Sequence, residues 1–469
     1  MASLFRNFHN FKNRAALIGK DNKIVTYSNL LNIFNSLEQI FKKKSTVLII
    51  SDNSLGSIIN YVFCIRSKHV AILISNELSN SEIKEIIKIY KPNFIVSEKK
   101  IFAKEFSLKK KYSLYKTILF STSFINHNFN KKLQLLLPTS GSMGSAKFVM
   151  LSEQNLYSNT MSIIKYLKLK NHDRAITNMP FYYSYMLSII NTHLQVGGSI
   201  VVSKETIVQK KFWEIYSQLK ITSFNGVPYI YEIINKIGIK KIFTKSLRYI
   251  TQAGGKLDEK LVKKILKFTE KKKKDFYIMY GQTEASPRIS YLKRSDIKRK
   301  IGSIGRPIEG VKMLLKNKKT IIKKPFSEGT IFCKGKNIMI GYASSYKDLK
   351  KHKKISELDT GDIGFFDEEN FYFIKSRSKR IAKFYGIRLD LDELEKKMLK
   401  LGFVVRIACN DNKIGIFYNP RKKIKPIMIK NKINKITNQN FNTMNFIKLL
   451  DVPRTPNKKV NYNKLQKML

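Results

Sequence analysis

Cysteine is scarce in this chain, with three in 469 residues. Cys64, Cys333 and Cys409 lie far apart in apolar or mixed surroundings. That spacing excludes both a disulfide framework and a cysteine-ligated metal site. Buried thiols in a reducing, cytoplasmic setting are the expectation. Acidic residues are few as well: 34 Asp and Glu stand against 89 Lys and Arg, a formal net charge of +55. Such a field invites a nucleic acid or an acidic membrane as partner. Yet there is no zinc spacing, no aromatic-and-glycine single-strand motif and no basic recognition helix to go with it. The lysines are spread over the whole length beside many Ile and Asn, as an AT-rich genome produces, so no specific nucleic-acid partner is expected. The N-terminus, MASLFRNFHNFKNRAALIGK, lacks the apolar core of a secretory signal. Residues 175–203 hold no charged residue, which raises the question of a transmembrane segment. Asn178, Pro180, Asn191, His193, Gln195 and the Gly197–Gly198 pair interrupt the run, so a buried helix followed by a buried strand is expected there instead.

Hydrophobic residues at 43% and aromatics at 12% supply a large core, and the length exceeds one ordinary domain. A hairpin around residues 22–26 opens the pattern. Helical periodicity follows over 28–41, 55–67 and 81–89, the last capped at Ser79 or Asn80. Strands at 45–51, 69–75 and 94–97 alternate with these helices. That alternation predicts an α/β fold whose mostly parallel sheet is covered on both faces. The lysine-rich stretch 99–116 reads as a surface excursion. Helices over 153–166, 212–220 and 228–236 and strands at 247–252 and 276–280 continue the theme. A β-rich segment runs from Gly302 to about Ser376, and a compact tail follows.

Between two apolar runs lies Thr139-Ser140-Gly141-Ser142-Met143-Gly144-Ser145-Ala146-Lys147. Glycines and hydroxyl residues there let backbone N–H groups converge on an anion, and Lys147 adds a positive charge. The spacing is not that of a Walker loop, which places Lys directly after its second glycine. Further on, Tyr280-Gly281-Gln282-Thr283-Glu284 follows a strand. It offers an aromatic face for a purine, a glycine for close approach, a hydroxyl for phosphate and a carboxylate for Mg²⁺.

Together these motifs resemble the adenylate-forming superfamily: acyl-CoA synthetases, adenylation domains of nonribosomal peptide synthetases, and luciferases. Others fall in the same order. Ala253-Gly254-Gly255-Lys256-Leu257 resembles the stretch whose backbone lies along adenine. Gly302 to Pro307 (GSIGRP) and Glu328 to Tyr342 (EGTIFCKGKNIMIGY) resemble two structural motifs. Asp359-Thr360-Gly361-Asp362 matches the ribose-binding turn, and Arg377-Ser378-Lys379 the hinge motif, with Arg377 on ribose and phosphate. Lys383, Gly386, Arg388 and Glu393 continue the pattern, and Pro453 to Tyr462 (PRTPNKKVNY) resembles the closing motif. Lys459 falls on its catalytic lysine, and Lys458 stands where the family has glycine. Met143 and Ala146 also depart from the family's loop.

The resemblance implies an N-terminal AMP-binding domain, 1–377, of mostly parallel sheets covered by helices plus a β-rich subdomain. A small mobile α+β domain, 378–469, would turn about Lys379. It implies ATP and Mg²⁺ as reactants, with Glu284 on the metal and Thr283 and Lys459 aiding catalysis. Thr139, Ser140, Gly141, Ser142, Gly144, Lys147, Gly254, Gly255, Tyr280, Gly281, Asp362 and Arg377 would bind the nucleotide. Lys379, Lys383 and Gly386 would form the hinge and thiolation face. A carboxylic acid would be activated as its adenylate and passed to CoA or to the phosphopantetheine of an acidic carrier protein. Tyr182, Tyr183 and Gly226 fall in the acid pocket, and Ala285 to Arg288 near its mouth. Tyrosines without a carboxylate suit a neutral acyl chain, a hydroxy acid or an aromatic acid better than an amino acid. Two other readings stand beside this one: an adenylation fold without catalysis that serves as a binding module, and a basic nucleic-acid-binding protein.

Overall fold

The computed structural model describes residues 3–98, 105–125, 128–138, 147–351, 355–377, 380–384, 387–409, 413–420, 425–437, 444–455 and 458–469. The chain packs as two compact units: Met1–Met313 with Cys333–Leu358, and Leu314–Phe332 with Asp359–Leu469. The 377/378 boundary drawn from the motifs lies inside the second unit.

The first unit is built on an eight-stranded sheet. At its centre Leu133–Pro138, Val70–Ser75, Thr46–Ser51 and Phe94–Ser97 run parallel. Every residue of Thr46–Ser51 and Val70–Ser75 is buried, because helices cover both faces. Ile83, Ile87 and Tyr90 of helix Asn80–Tyr90 pack on Leu48, Ile50, Ile72 and Ile74. Helix Leu55–Arg66 packs on the same strands. Antiparallel strands close the sheet on both sides: Phe148–Ser152 and Gly341–Ala343 at one edge, Thr117–Ser121 and Lys109–Leu114 at the other. The edge strand Lys109–Leu114 corrects the reading of 99–116 as a surface excursion. Exposed lysines 109–111 give it no apolar alternation, and such residues blunt an open edge against pairing with other chains.

A second set of strands in this unit, Ser223–Gly226, Tyr249–Gln252 and Asp275–Gly281, is parallel. Arg288–Lys293 and Ser303–Pro307 extend it antiparallel. The charge-free stretch forms helix Ser184–Gln195 and strand Ser199–Val201, both buried. Tyr27 ties them together by donating to Leu194 O at 3.2 Å and Gly198 O at 2.7 Å. Among the described residues no helix is long and apolar enough to cross a membrane.

In the second unit Leu358–Phe366 pairs with Tyr372–Arg377. Beyond them, strands Val405–Cys409, Ile414–Tyr418 and Met444–Lys448 form a small sheet. Helices Leu391–Lys400 and Pro426–Thr437 cover it, placing Leu394, Met398, Ile429 and Ile433 on Ile407 and Ile416. The tail is thus α+β with a core of its own.

Candidate active site

The site starts from the hairpin formed by Asp275–Gly281 and Arg288–Lys293. Gly281 pairs with Arg288, and the turn between them carries Thr283 and Glu284. Gly281 is required here by close approach: a Cβ on it would lie 1.8 Å from the Pro287 carbonyl oxygen. Tyr280, next to last in the first strand, is half-buried. The Glu284 carboxylate accepts from the Tyr342 hydroxyl at 3.0 Å, and its carbonyl accepts from the Met339 N–H at 2.9 Å. Lys147 Nζ stands 4.0 Å from the centre of the Tyr342 ring. Burial and the adjacent Glu284 carboxylate hold the Tyr342 phenol firmly in its neutral, donating form. The Thr283 hydroxyl lies 3.2 Å from that of Ser184, the first residue of helix Ser184–Gln195.

Lys147 reaches this cluster because Pro138 and Phe148 are register partners at the ends of two paired strands. Thr139, Ser140, Gly141, Ser142 and Gly144, with Met143 and Ala146, lie outside the described residues. Gly226, Gly254 and Gly255 stand at the carboxyl ends of strands parallel to Asp275–Gly281, the edge where open α/β sheets bind ligands. Gly254 has φ +86°, and the Gly255 carbonyl accepts from Gln252 Nε2 at 2.8 Å. A Cβ on Gly226 would lie 3.0 Å from both Ile230 and Tyr231, so the helix Pro228–Ile237 that follows it already demands a small residue there.

Tyr182 and Tyr183 are both buried, and burial pushes each phenol up to about 12. They diverge. Tyr182 has Ser75 and Glu77 as electrostatic neighbours, but its hydroxyl lacks a well-formed hydrogen bond. Tyr183 caps helix Ser184–Gln195 and feels the charge of Arg288.

The second unit holds its own group. Asp362 is buried and pairs with Arg377, Oδ1 to Nε 3.2 Å, across the strand register. Lys379 and Gly386 lie outside the described residues, and Lys383 belongs to strand Ile381–Phe384. Lys459 sits in a tight turn: its N–H donates to Thr455 Oγ1 at 3.2 Å, and its carbonyl accepts from the Thr455 N–H at 2.7 Å. Lys458 has φ +59°, the left-handed region that favours glycine.

A model of the AMP-binding enzyme family matches residues 4–343. The chain belongs to the AMP-binding enzyme family. It is 26% identical over 332 residues to the oxalate–CoA ligase of Saccharomyces cerevisiae, covering 67% of this chain and 60% of that one. It is 23% identical over 401 residues to the 2-succinylbenzoate–CoA ligase of Oceanobacillus iheyensis, covering 83% and 81%. The match to the yeast protein thus spans under two thirds of that relative's length, as do others among its curated relatives. The O-succinylbenzoate coenzyme A synthetase of Bacillus subtilis, solved in complex with ATP and magnesium ion, shares the fold. Its TM-score is 0.76 at 20% identity, covering 96% of each chain.

Within this AMP-binding fold, sequence reasoning passed over Tyr342 and Ser184. Tyr342 closes the EGTIFCKGKNIMIGY stretch, read as structural, and its contact with Glu284 joins residues 58 apart in sequence. Ser184 lies inside the tyrosine run, where nothing local marks it. Arg288 was placed near the pocket mouth on position alone.

Proposed function

We propose that this chain is an ATP-dependent acid–thiol ligase acting through an acyl-adenylate. The observation that carries the reading is the assembly of Lys147, Tyr342, Glu284, Thr283 and Ser184 around one hairpin tip. It offers a carboxylate for a cation, a lysine beside it and paired hydroxyls, at the sheet edge where a nucleotide fits. Gly254, at positive φ, follows a strand that runs parallel to the first strand of that hairpin. Glu284 would hold Mg²⁺, which neutralises phosphate charge when bound.

In the first step a carboxylate oxygen of the acid attacks the α-phosphorus of ATP. The bond to the bridging oxygen breaks and pyrophosphate leaves. In the second step a thiol sulfur attacks the acyl carbon, the acyl–phosphate oxygen bond breaks, and AMP leaves with the thiol proton passed to solvent. Thr283 and Lys147 orient phosphate oxygens, Asp362 and Arg377 take the ribose, and Lys459 stabilises charge on the reacting phosphate. Residues 378–469 would turn about Lys379 between steps and present Lys383 and Gly386 to the thiol. CoA, named as acceptor in the relatives, is favoured over a carrier protein. Free thiols and the lack of a membrane-crossing helix among the described residues suit a cytoplasmic enzyme.

Pyrophosphate release in the presence of ATP, Mg²⁺ and hydroxylamine, across a panel of acids, tests the reading. A signal with one acid class supports it. A chain that binds no ATP would sink it and leave the fold as a binding module.

A further inference from the structure

Helix Ser184–Gln195 and the hairpin formed by Asp275–Gly281 and Arg288–Lys293 hold a buried cation that no carboxylate among the described residues neutralises. Arg288 is 2% exposed. No carboxylate among the described residues pairs with it, and its Nε has no hydrogen-bond partner. Its main chain is fully engaged: the N–H donates to Asn159 Oδ1 at 3.2 Å, and the carbonyl accepts from Asn159 Nδ2 at 2.8 Å and Asn337 Nδ2 at 2.9 Å. The backbone is thus anchored, and of the guanidinium the Tyr166 hydroxyl meets one side while Nε is left without a partner among the described residues.

Its surroundings are aromatic. The guanidinium carbon stands 5.1 Å from the centre of the Tyr185 ring. Tyr166, Tyr183 and Tyr185 all feel its charge, and burial keeps their phenols neutral. Ring faces soften a buried charge only in part, and an ion buried without a counter-charge remains costly. The contrast with Arg380, also buried, is plain: that residue has both Asp392 and Glu395. Arg288 has none among the described residues, and it pairs with Gly281 beside the turn that carries Thr283 and Glu284. The helix that brings Tyr183 and Tyr185 to it also brings Ser184 to Thr283 at 3.2 Å.

We propose that Arg288 receives a second carboxylate of the acid, so that the substrate is a dicarboxylic acid. This rests on the ligase reading: one carboxylate is activated and the other is held. A carboxylate against a guanidinium makes two parallel charge-assisted hydrogen bonds, one of which Nε supplies. A plain acyl chain would leave the charge buried against methylene groups. The neutral acids expected from the tyrosines alone therefore give way to diacids, with the tyrosines as walls that exclude water.

Calorimetric titration of the full chain with matched acids tests this: butanoate against succinate, hexanoate against adipate, benzoate against phthalate. The same titrations follow on Arg288→Gln and Arg288→Lys, with ATP titrated separately into all three proteins. At least one diacid should bind about 100-fold tighter than its partner. Arg288→Gln should abolish that preference, Arg288→Lys should keep part of it, and ATP affinity should not move. The melting temperature of unliganded Arg288→Gln should stay level or rise, because an uncompensated charge has been removed. The proposal is overturned if no diacid outbinds its partner, if Arg288→Gln keeps the preference, or if that variant melts lower with its preference intact. Diacid preference without ATP binding would instead sink the ligase reading and leave the Arg288 site standing.

Discussion

The Tyr342 hydroxyl donates to Glu284 Oε1 across 3.0 Å, and the same ring underlies Lys147 Nζ at 4.0 Å. One aromatic residue therefore fixes both a carboxylate suited to a cation and a lysine suited to phosphate. Removing its hydroxyl costs one hydrogen bond to a charged group, about 1.5 kcal/mol or more. Tyr342→Phe should raise the Mg²⁺ concentration for half-maximal pyrophosphate release about tenfold. Glu284→Gln should raise it further. A Mg²⁺ titration measures both, and an unchanged curve for Glu284→Gln would refute the role given to that carboxylate.

Gly281 should tolerate no side chain. A Cβ would lie 1.8 Å from the Pro287 carbonyl oxygen, which is backbone and cannot swing aside. Gly281→Ala must therefore spread the hairpin and displace Thr283 and Glu284 together. Misplacement of that kind costs about 100-fold in rate. The expected outcome is lost pyrophosphate release with secondary structure intact by circular dichroism. Activity within twofold of the parent would show that the hairpin tip is not where chemistry occurs.

Stability should fall in mild acid through His69. It is buried between the rings of Phe41 and Phe63, and its Nδ1 accepts from the Ser45 N–H at 3.2 Å. Burial, reinforced by the nearby Lys44 charge, pushes its pKa down to about 4. The folded protein thus favours neutral His69, and the unfolded chain protonates near 6.5. The contribution is complete above pH 6.5 and is lost as pH falls from there toward 4, by up to about 3 kcal/mol. Denaturant unfolding at pH 7 and pH 5 should show the drop, and His69→Gln should flatten it. The His69 carbonyl also accepts from Gln134 Nε2 at 2.9 Å, on the strand Leu133–Pro138.

What was legible beforehand follows from how local the signal is. Thr46–Ser51 and Phe94–Ser97 are short β-branched runs, and their bounds were read within a residue. Helix Asn80–Tyr90 was legible from Ser79, which accepts from the Glu82 N–H in a capping box. The edge strand Lys109–Leu114 was not, because its run of exposed lysines at 109–111 gives no hydrophobic period. The same holds for the site. Thr283 and Glu284 stand in one contiguous motif, whereas their partners Ser184 and Tyr342 come from elsewhere in the chain. That no carboxylate among the described residues meets Arg288 is a property of what surrounds it, which no window of sequence displays.

The turn at the C-terminal lysines separates conformation from chemistry. Lys458 takes φ +59°, where a side chain costs about 1–2 kcal/mol relative to glycine's freedom. Part of that is returned because glycine loses more entropy on folding. Lys458→Gly should therefore stabilise the tail by about 0.5–1 kcal/mol, read as slower amide exchange in strand Ile414–Tyr418. It should keep adenylate formation, since the Arg454 guanidinium bonds the Lys458 carbonyl at 2.9 Å and not its side chain. Lys459→Ala should leave stability level yet lower adenylate formation about 100- to 1,000-fold. Thiol transfer from a supplied acyl-adenylate should survive, because only the first step needs a cation at the α-phosphate. If Lys458→Gly proves the damaging change and Lys459→Ala the silent one, the working ammonium is Lys458. The left-handed backbone at that position would then be the device that aims it.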